Sequence, residues 1–298
     1  MLRSTVTDVA LVFEGGGMRA SYSSGVLAAL LEAGVFCDWV GGISAGSSCT
    51  ANYLARDGAR ARRSFVDFAS EPDFGDWRTF LQGKGMFNAE WIYEHTSAPD
   101  EVLPYDYSTF EANPARFRIG GLRCRDGQMF YWGRDDVPDR AALMKRVRAS
   151  STMPLLMPWT SIEGEDYCDG ALGPSGGIAL DAARADGFGR FLVVLTRERG
   201  YRKPAARLPR VHRALLHRYP AVADALLERP ANYNRTLDEL LELEEAGAAY
   251  VIAPSWMPIG NSERDTGKLQ AMYDAGYGQA RREMGQILDF VGLAASPA

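Results

Sequence analysis

The chain has 298 residues, 46% hydrophobic and 24% charged, with 33 Lys and Arg against 38 Asp and Glu for a formal charge of −5. Such a length and composition suit a globular protein with a sizeable core. The acidic balance argues against a nucleic-acid footprint over the whole molecule, while leaving room for a local basic patch.

Taken in chain order, DVALVFEGGG is an apolar run ending in glycines, a first strand. SYSSGVLAALLEAG places Val26, Leu27, Leu30 and Leu31 at helical spacing, with Gly34 as a stop. FCDWVGGIS reads as a second strand and AGSSCTANYLARDG as a second helix. This β-α-β-α order implies a parallel sheet with crossover helices. From Arg62 to Tyr107 the chain turns aromatic and irregular, which suggests short helices and loops laid over the sheet. ARFRIGGLRC and GQMFYWG form a hairpin about RDG, and DRAALMKRVRASS a helix stopped by the following proline. GEDYCDGALG is a strand leading into a turn, FGRFLVVLT a buried parallel strand, AAYVIAPS a further strand, and TGKLQAMYDAGYGQARREMGQILDFV a long last helix. The expected architecture is one α/β/α three-layer domain over 8–298 with a mostly parallel central sheet. The helical stretch at 200–247 is expected as an insertion within it.

No run of eighteen apolar residues is present, so no membrane-spanning helix is expected. MLRSTVTDVALVFEGG lacks the pattern of a signal peptide, and Cys37, Cys49, Cys124 and Cys168 form no C-x-x-C pair. They read as reduced thiols in a cytoplasmic protein. With His95, His212 and His217 they make no evident metal set, and no metal or organic cofactor is implied.

GISAG, Gly42 to Gly46, fits G-x-S-x-G between a strand and a helix. A serine on so sharp a turn projects its hydroxyl from the sheet, and small neighbours relieve the crowding. Ser44 is the candidate nucleophile, and it needs a base. His212 and His217 stand in the basic stretch RVHRALLHRYP, where positive neighbours depress their basicity, and His95 lies in the aromatic loops. Asp169, in YCDGALG at a strand end, is the better candidate, because burial raises a carboxylate's basicity. Asp57-Gly58, Asp126-Gly127 and Asp186-Gly187 share the dipeptide and read as helix ends and a hairpin turn.

A glycine-rich loop, then G-x-S-x-G, then D-G-[GA], in that order and without a histidine, resembles the patatin-like phospholipase family. The likeness covers roughly Val9 to Thr196, including RASSTMPLLMPW ahead of the aspartate. The resemblance implies lipid acyl hydrolysis through an acyl-enzyme, with Ser44 as nucleophile and Asp169 as proton acceptor. It also implies an oxyanion hole from Gly15, Gly16, Gly17 and Met18, with Arg19, Gly42, Gly46, Gly170 and Ala171 supporting the motifs. After VLTRERGYRK the chain looks like the C-terminal extension of a bacterial subgroup. One letter departs from the family pattern: Ala20 stands where the loop usually ends in glycine.

Two other readings compete. Gly15-x-Gly17-x-x-Ala20 also fits a dinucleotide fingerprint, but the acid that fingerprint needs at the end of the second strand is absent. Asp38 begins that strand and Ser44 ends it. The second alternative is a catalytically silent scaffold that binds acyl chains or a protein partner. The expected partner is a lipid or other acyl ester, its chain received by the aromatic and Met/Leu stretches DFGDWRTFLQGKGMFNAEWIY and TMPLLMPW. Arg197 to Arg218 carries eight Arg and Lys against one Glu, which suggests transient contact with an anionic membrane surface.

Overall fold

A computed structural model of the protein describes residues 2–293. Eight strands form one mixed sheet: β1 Ala10–Phe13, β2 Trp39–Ile43, β3 Arg116–Arg123, β4 Met129–Trp132, β5 Thr160–Ile162, β6 Glu165–Asp169, β7 Phe191–Val194 and β8 Ala249–Ile252. The helices are α1 Ala20–Glu32, α2 Ala45–Leu54, α3 Gly58–Phe65, α4 Trp77–Leu81, α5 Ala89–Glu94, α6 Tyr107–Ala112, α7 Arg140–Ser151, α8 Leu180–Ala185, α9 Pro209–Leu215, α10 Pro220–Glu245 and α11 Thr266–Phe290. The order across the sheet is β5-β6-β3-β2-β1-β7-β8, with β4 also on β3. The run β8-β7-β1-β2-β3 is parallel; β4 and β6 join β3 antiparallel, and β5 joins β6 antiparallel.

Alternation along the strands explains the three layers. Leu11 and Phe13 of β1 and Leu192 and Val194 of β7 face a core shared with α1, α7 and α11. Their neighbours Ala10, Val12, Phe191 and Val193 face the opposite core, shared with α8 and α10. Both faces are covered, so these strands are apolar throughout and show no polar alternation. Helix α1 is buried from Ala20 to Leu30, because it lies between the sheet and α11. The two helices nearly touch where Gly25 meets the Tyr273 carbonyl, and a β-carbon there would lie 2.1 Å from that oxygen.

The register around β3 sets up the site. β2 pairs with β3 up to Ile43 opposite Gly120, and β6 pairs with it from Asp169 opposite Gly121. β4 covers Ile119 to Leu122 and overlaps both pairings, so it occupies the other edge. β2 and β6 therefore share one edge of β3 and meet head to head at adjacent glycines. The residue after β2 is Ser44 and the last residue of β6 is Asp169.

Two features differ from the sequence expectation. β5, three residues long, forms a hairpin with β6 in a segment that carries no strand periodicity. Most of the helical stretch expected at 200–247 is one continuous helix of 26 residues, α10, which runs through Pro230 despite the donor that proline lacks.

Candidate active site

Ser44 sits between β2 and α2 with φ 56° and ψ −128°, a left-handed conformation that is costly for a residue with a side chain. The surroundings hold it there. Its N–H donates to Ser150 Oγ at 2.8 Å, and Ser150 Oγ in turn donates to the Gly120 carbonyl at 2.5 Å. Its carbonyl accepts from Ser47 N–H at 2.9 Å and Ser47 Oγ at 2.6 Å. The turn is tight because Gly42 and Gly46 lack side chains. A β-carbon on Gly42 would lie 2.1 Å from the Gly46 carbonyl oxygen, and one on Gly46 would lie 2.2 Å from that of Phe13.

Ser44 Oγ donates to Asp169 Oδ2 at 2.8 Å, and both residues are buried. Asp169 Oδ1 accepts the Ala171 N–H at 2.8 Å across the turn that begins at Gly170. The Asp169 N–H donates to the Thr152 carbonyl at 2.8 Å. Burial pushes the Asp169 carboxyl above the ordinary aspartate range. Arg229, the Ala171 N–H, the Ser44 hydroxyl and Lys203 pull it partway back. A serine hydroxyl on a desolvated carboxylate is an arrangement suited to moving one proton between them.

The glycine loop lies beside this pair. Of the four expected N–H donors, two are engaged elsewhere: Gly15 donates to the Gly177 carbonyl at 3.1 Å and Met18 to the Asn261 carbonyl at 3.0 Å. Among the described residues the N–H groups of Gly16 and Gly17 have no acceptor. Gly17 has φ +55°, and a β-carbon there would lie 2.5 Å from the Asn261 carbonyl oxygen, so this turn accepts only glycine. Arg19 is buried and donates through its guanidinium to Asn261 Oδ1 at 3.2 Å. Ala20 has ordinary helical geometry, φ −68° and ψ −1°, so the departure from the family's glycine costs the backbone nothing.

A cavity runs from these residues, with Gly16, Gly17, Ser44, Asp169 and Arg229 on its wall. The rest of the wall is mainly apolar and includes Phe65, Phe68, Phe74, Phe87, Met144 and Val147. The expected aromatic stretch thus supplies Phe74 and Phe87, and TMPLLMPW supplies Met153 and Met157. Trp77, Leu81, Leu155 and Leu156 are exposed nearby, where the Met86 N–H donates to the Leu156 carbonyl.

None of the three histidines lines the cavity. His95 lies on the surface 3.9 Å from Glu90, and His212 and His217 are in and just beyond α9. The other Asp-Gly aspartates have structural partners: Asp57 caps α3, Asp126 pairs with Arg123, and Asp186 accepts from Trp39 Nε1 and Arg118. All four cysteines are buried and unpaired. Within the basic stretch, Arg199, Arg202 and Arg213 pair with Glu244, Asp238 and Asp224. Leu208, Val211 and Leu215 of that stretch are exposed.

Three residues at the site carry no sequence signal sufficient to single them out. Ser150 lies in the segment that marks the resemblance but is one serine among several. Asn261 contributes from the loop after β8. Glu14, buried, accepts the Thr196 N–H at 2.5 Å and the Tyr233 hydroxyl at 2.8 Å, which fixes the start of the glycine loop.

The mixed sheet flanked by helices on both faces is the three-layer α/β/α architecture of patatin-like proteins. The patatin-like phospholipase profile matches residues 11–178, more than half of the chain, and the chain belongs to that family. Residues 219–292 match a domain of unknown function, DUF6363. Uncharacterized protein YjjU of Escherichia coli (strain K12) is 27% identical over 193 residues, 63% of this chain and 52% of that protein. The chain thus spans about half the length of the curated relative it matches. VipD from Legionella pneumophila superposes with a TM-score of 0.47 at 12% identity, over 95% of this chain and 67% of that one. Among the described residues no helix is long and apolar enough to cross a membrane.

Proposed function

We propose that the protein is a serine acyl hydrolase of lipid carboxylic esters, working through Ser44 and Asp169. The observation that carries this reading is the 2.8 Å hydrogen bond from the Ser44 hydroxyl to a buried carboxylate on the wall of an apolar cavity. Asp169 takes the Ser44 proton as Oγ attacks the ester carbonyl carbon. The negative charge that develops on the carbonyl oxygen is received by the free N–H groups of Gly16 and Gly17; one such donor contributes about 3–4 kcal/mol to the transition state. The ester C–O bond then breaks, and the proton passes from Asp169 to the departing alcohol. Asp169 next accepts a proton from water, the resulting hydroxide attacks the acyl carbon, and the acid leaves as Ser44 regains its proton.

Gly15 and Met18 hold the loop in shape through their own hydrogen bonds, and Arg19 does so through Asn261. The apolar cavity takes the acyl chain. The exposed Trp77, Leu81, Leu155 and Leu156 give the protein a surface on which to meet lipid aggregates. The test is fluorophosphonate labelling together with hydrolysis of p-nitrophenyl esters over a range of chain lengths. Wild type is expected to label and turn over, and Ser44→Ala to do neither. A Ser44→Ala protein with full activity would overturn the reading.

A further inference from the structure

We propose that the hydroxyls of Ser48, Tyr93 and Ser151 form a specificity site for an acyl chain that carries a hydroxyl a few carbons from its ester carbonyl. The inference rests on the hydrolase reading and names the acyl group that such an enzyme would cleave. All three side chains stand on the wall of the cavity that holds Ser44 and Asp169. They come from three helices: Ser48 from α2, Tyr93 from α5, and Ser151 as the last residue of α7. Ser48 Oγ donates to the Tyr93 hydroxyl at 3.4 Å, and the Tyr93 hydroxyl donates to Ser151 Oγ at 3.3 Å. Hydroxyl pairs ordinarily close to about 2.7–2.8 Å, so both contacts are long. Among the described residues the Ser151 hydroxyl has no acceptor for its own proton. Ser48 and Ser151 are buried. Burial, opposed by the Ser151 and Ser48 hydroxyls, raises Tyr93 above the ordinary tyrosine range, so its hydroxyl keeps its proton. The cluster has donors and acceptors to spare in a place shielded from water, and an incoming hydroxyl both gives and takes a hydrogen bond.

The helices set where along a bound chain these groups act. On α2, Ser48 is one turn past Ser44, and Ala51 follows it on the same wall. On α7, Val147 and Met144 stand one and two turns back from Ser151 and also line the cavity. On α5, Ala89 and Ile92 share the wall with Tyr93. The hydroxyls thus lie between the nucleophile and the apolar part of the cavity that takes the tail of the chain. A helical turn advances about 5.4 Å, and a saturated chain advances about 1.3 Å per carbon. An acyl group on Ser44 Oγ therefore brings roughly its third to fifth carbon level with the three oxygens. A plain chain lays methylenes against polar groups there, whereas a hydroxylated one satisfies them. The group they suit is neutral, because none of the three carries a charge and Asp169 stands on the same wall.

The experiment compares the p-nitrophenyl esters of octanoic, 3-hydroxyoctanoic and 8-hydroxyoctanoic acid in wild type, Tyr93→Phe and Ser48→Ala. The readout is the kcat/KM of each hydroxy ester divided by that of the plain ester, a ratio that a general loss of activity does not move. The three hydroxyls keep their contacts with one another when the chain is plain, so discrimination should be modest, about tenfold for the 3-hydroxy ester in wild type. The ratio should fall to about one in Tyr93→Phe and by several-fold in Ser48→Ala, and the 8-hydroxy ester should gain nothing over the plain one. A ratio lowered in either variant upholds the proposal. A wild-type ratio of one, a ratio unchanged in both variants, or an equal preference for the 8-hydroxy ester overturns it and leaves the Ser44–Asp169 reading standing. Should no ester be hydrolysed, calorimetric titration with the N-methylamides of octanoic and 3-hydroxyoctanoic acid reads the site without turnover. Tighter wild-type binding of the 3-hydroxy amide, lost in either variant, then upholds the site while the hydrolase reading fails; equal binding of the two amides overturns the site as well.

Discussion

Replacing Ser150 with alanine probes how the nucleophile candidate is held rather than what it does. Ser150 Oγ joins two backbone groups that nothing else in the structure satisfies together: the N–H of Ser44 at 2.8 Å and the carbonyl of Gly120 at 2.5 Å. All three positions lie in the interior, and Ser150 itself is fully buried. Alanine leaves both groups without a partner in a gap of one oxygen atom, too small for a water molecule. An orphaned buried group costs about 1–3 kcal/mol, so the pair should cost about 2–5 kcal/mol. With a urea slope of about 2–3 kcal/mol per molar, the midpoint should fall by about 1 M or more. The lost bond also releases the strained Ser44 backbone, φ 56°, toward an easier conformation. A shift of about 1 Å at Oγ is enough to cost about 100-fold in rate. Ser150 touches no substrate atom, so the loss should appear in kcat with KM little changed. Urea unfolding followed by tryptophan fluorescence, alongside ester hydrolysis, reads both effects. A Ser150→Ala protein with the wild-type midpoint and the wild-type kcat would refute the claim that this hydroxyl supports the turn.

Asp169→Asn should reduce kcat by at least 1000-fold in the same ester assay, because a neutral amide accepts no proton. The triple replacement of His95, His212 and His217 by glutamine should leave kcat within about twofold of wild type; a large loss would mean that a histidine serves as base. Asp169 must be ionised to act, and burial raises its carboxyl above the ordinary 3.8. Activity should therefore fall as pH drops through a midpoint higher than that value, and a midpoint at or below 3.8 in a kcat–pH profile would contradict the environment described. Gly46→Ala should lose more than about 3 kcal/mol in urea unfolding, since its β-carbon would lie 2.2 Å from the Phe13 carbonyl oxygen, and backbone yields less readily than a side chain.

Much of the architecture is legible in the chain because local rules decide it. Apolar runs bounded by glycine mark β1, β2, β7 and β8, and helical spacing marks α1, α7 and α11, since both periodicities come from backbone geometry alone. The turn at Ser44 is legible for the same reason: two glycines around a serine between strand and helix leave room for one tight conformation. Asp169 is identifiable in the sequence only as one of several aspartates followed by glycine. β5 is too short to show a period, and Pro230 hides the continuity of α10 because the residues after it pack well enough to carry the helix past the missing donor.

What the tertiary structure decides is which distant groups meet. β2 and β6 end against adjacent residues of β3, Gly120 and Gly121, and this register, fixed by β4 on the opposite edge, brings Ser44 and Asp169 to 2.8 Å across 125 positions of chain. The same packing determines which loop N–H groups are free: Gly177 takes that of Gly15 and the Asn261 carbonyl takes that of Met18, leaving Gly16 and Gly17. Local sequence preference fixes the conformation of a turn within a few residues. Partners more than a hundred positions apart are fixed by strand register and burial, which no short window of sequence contains.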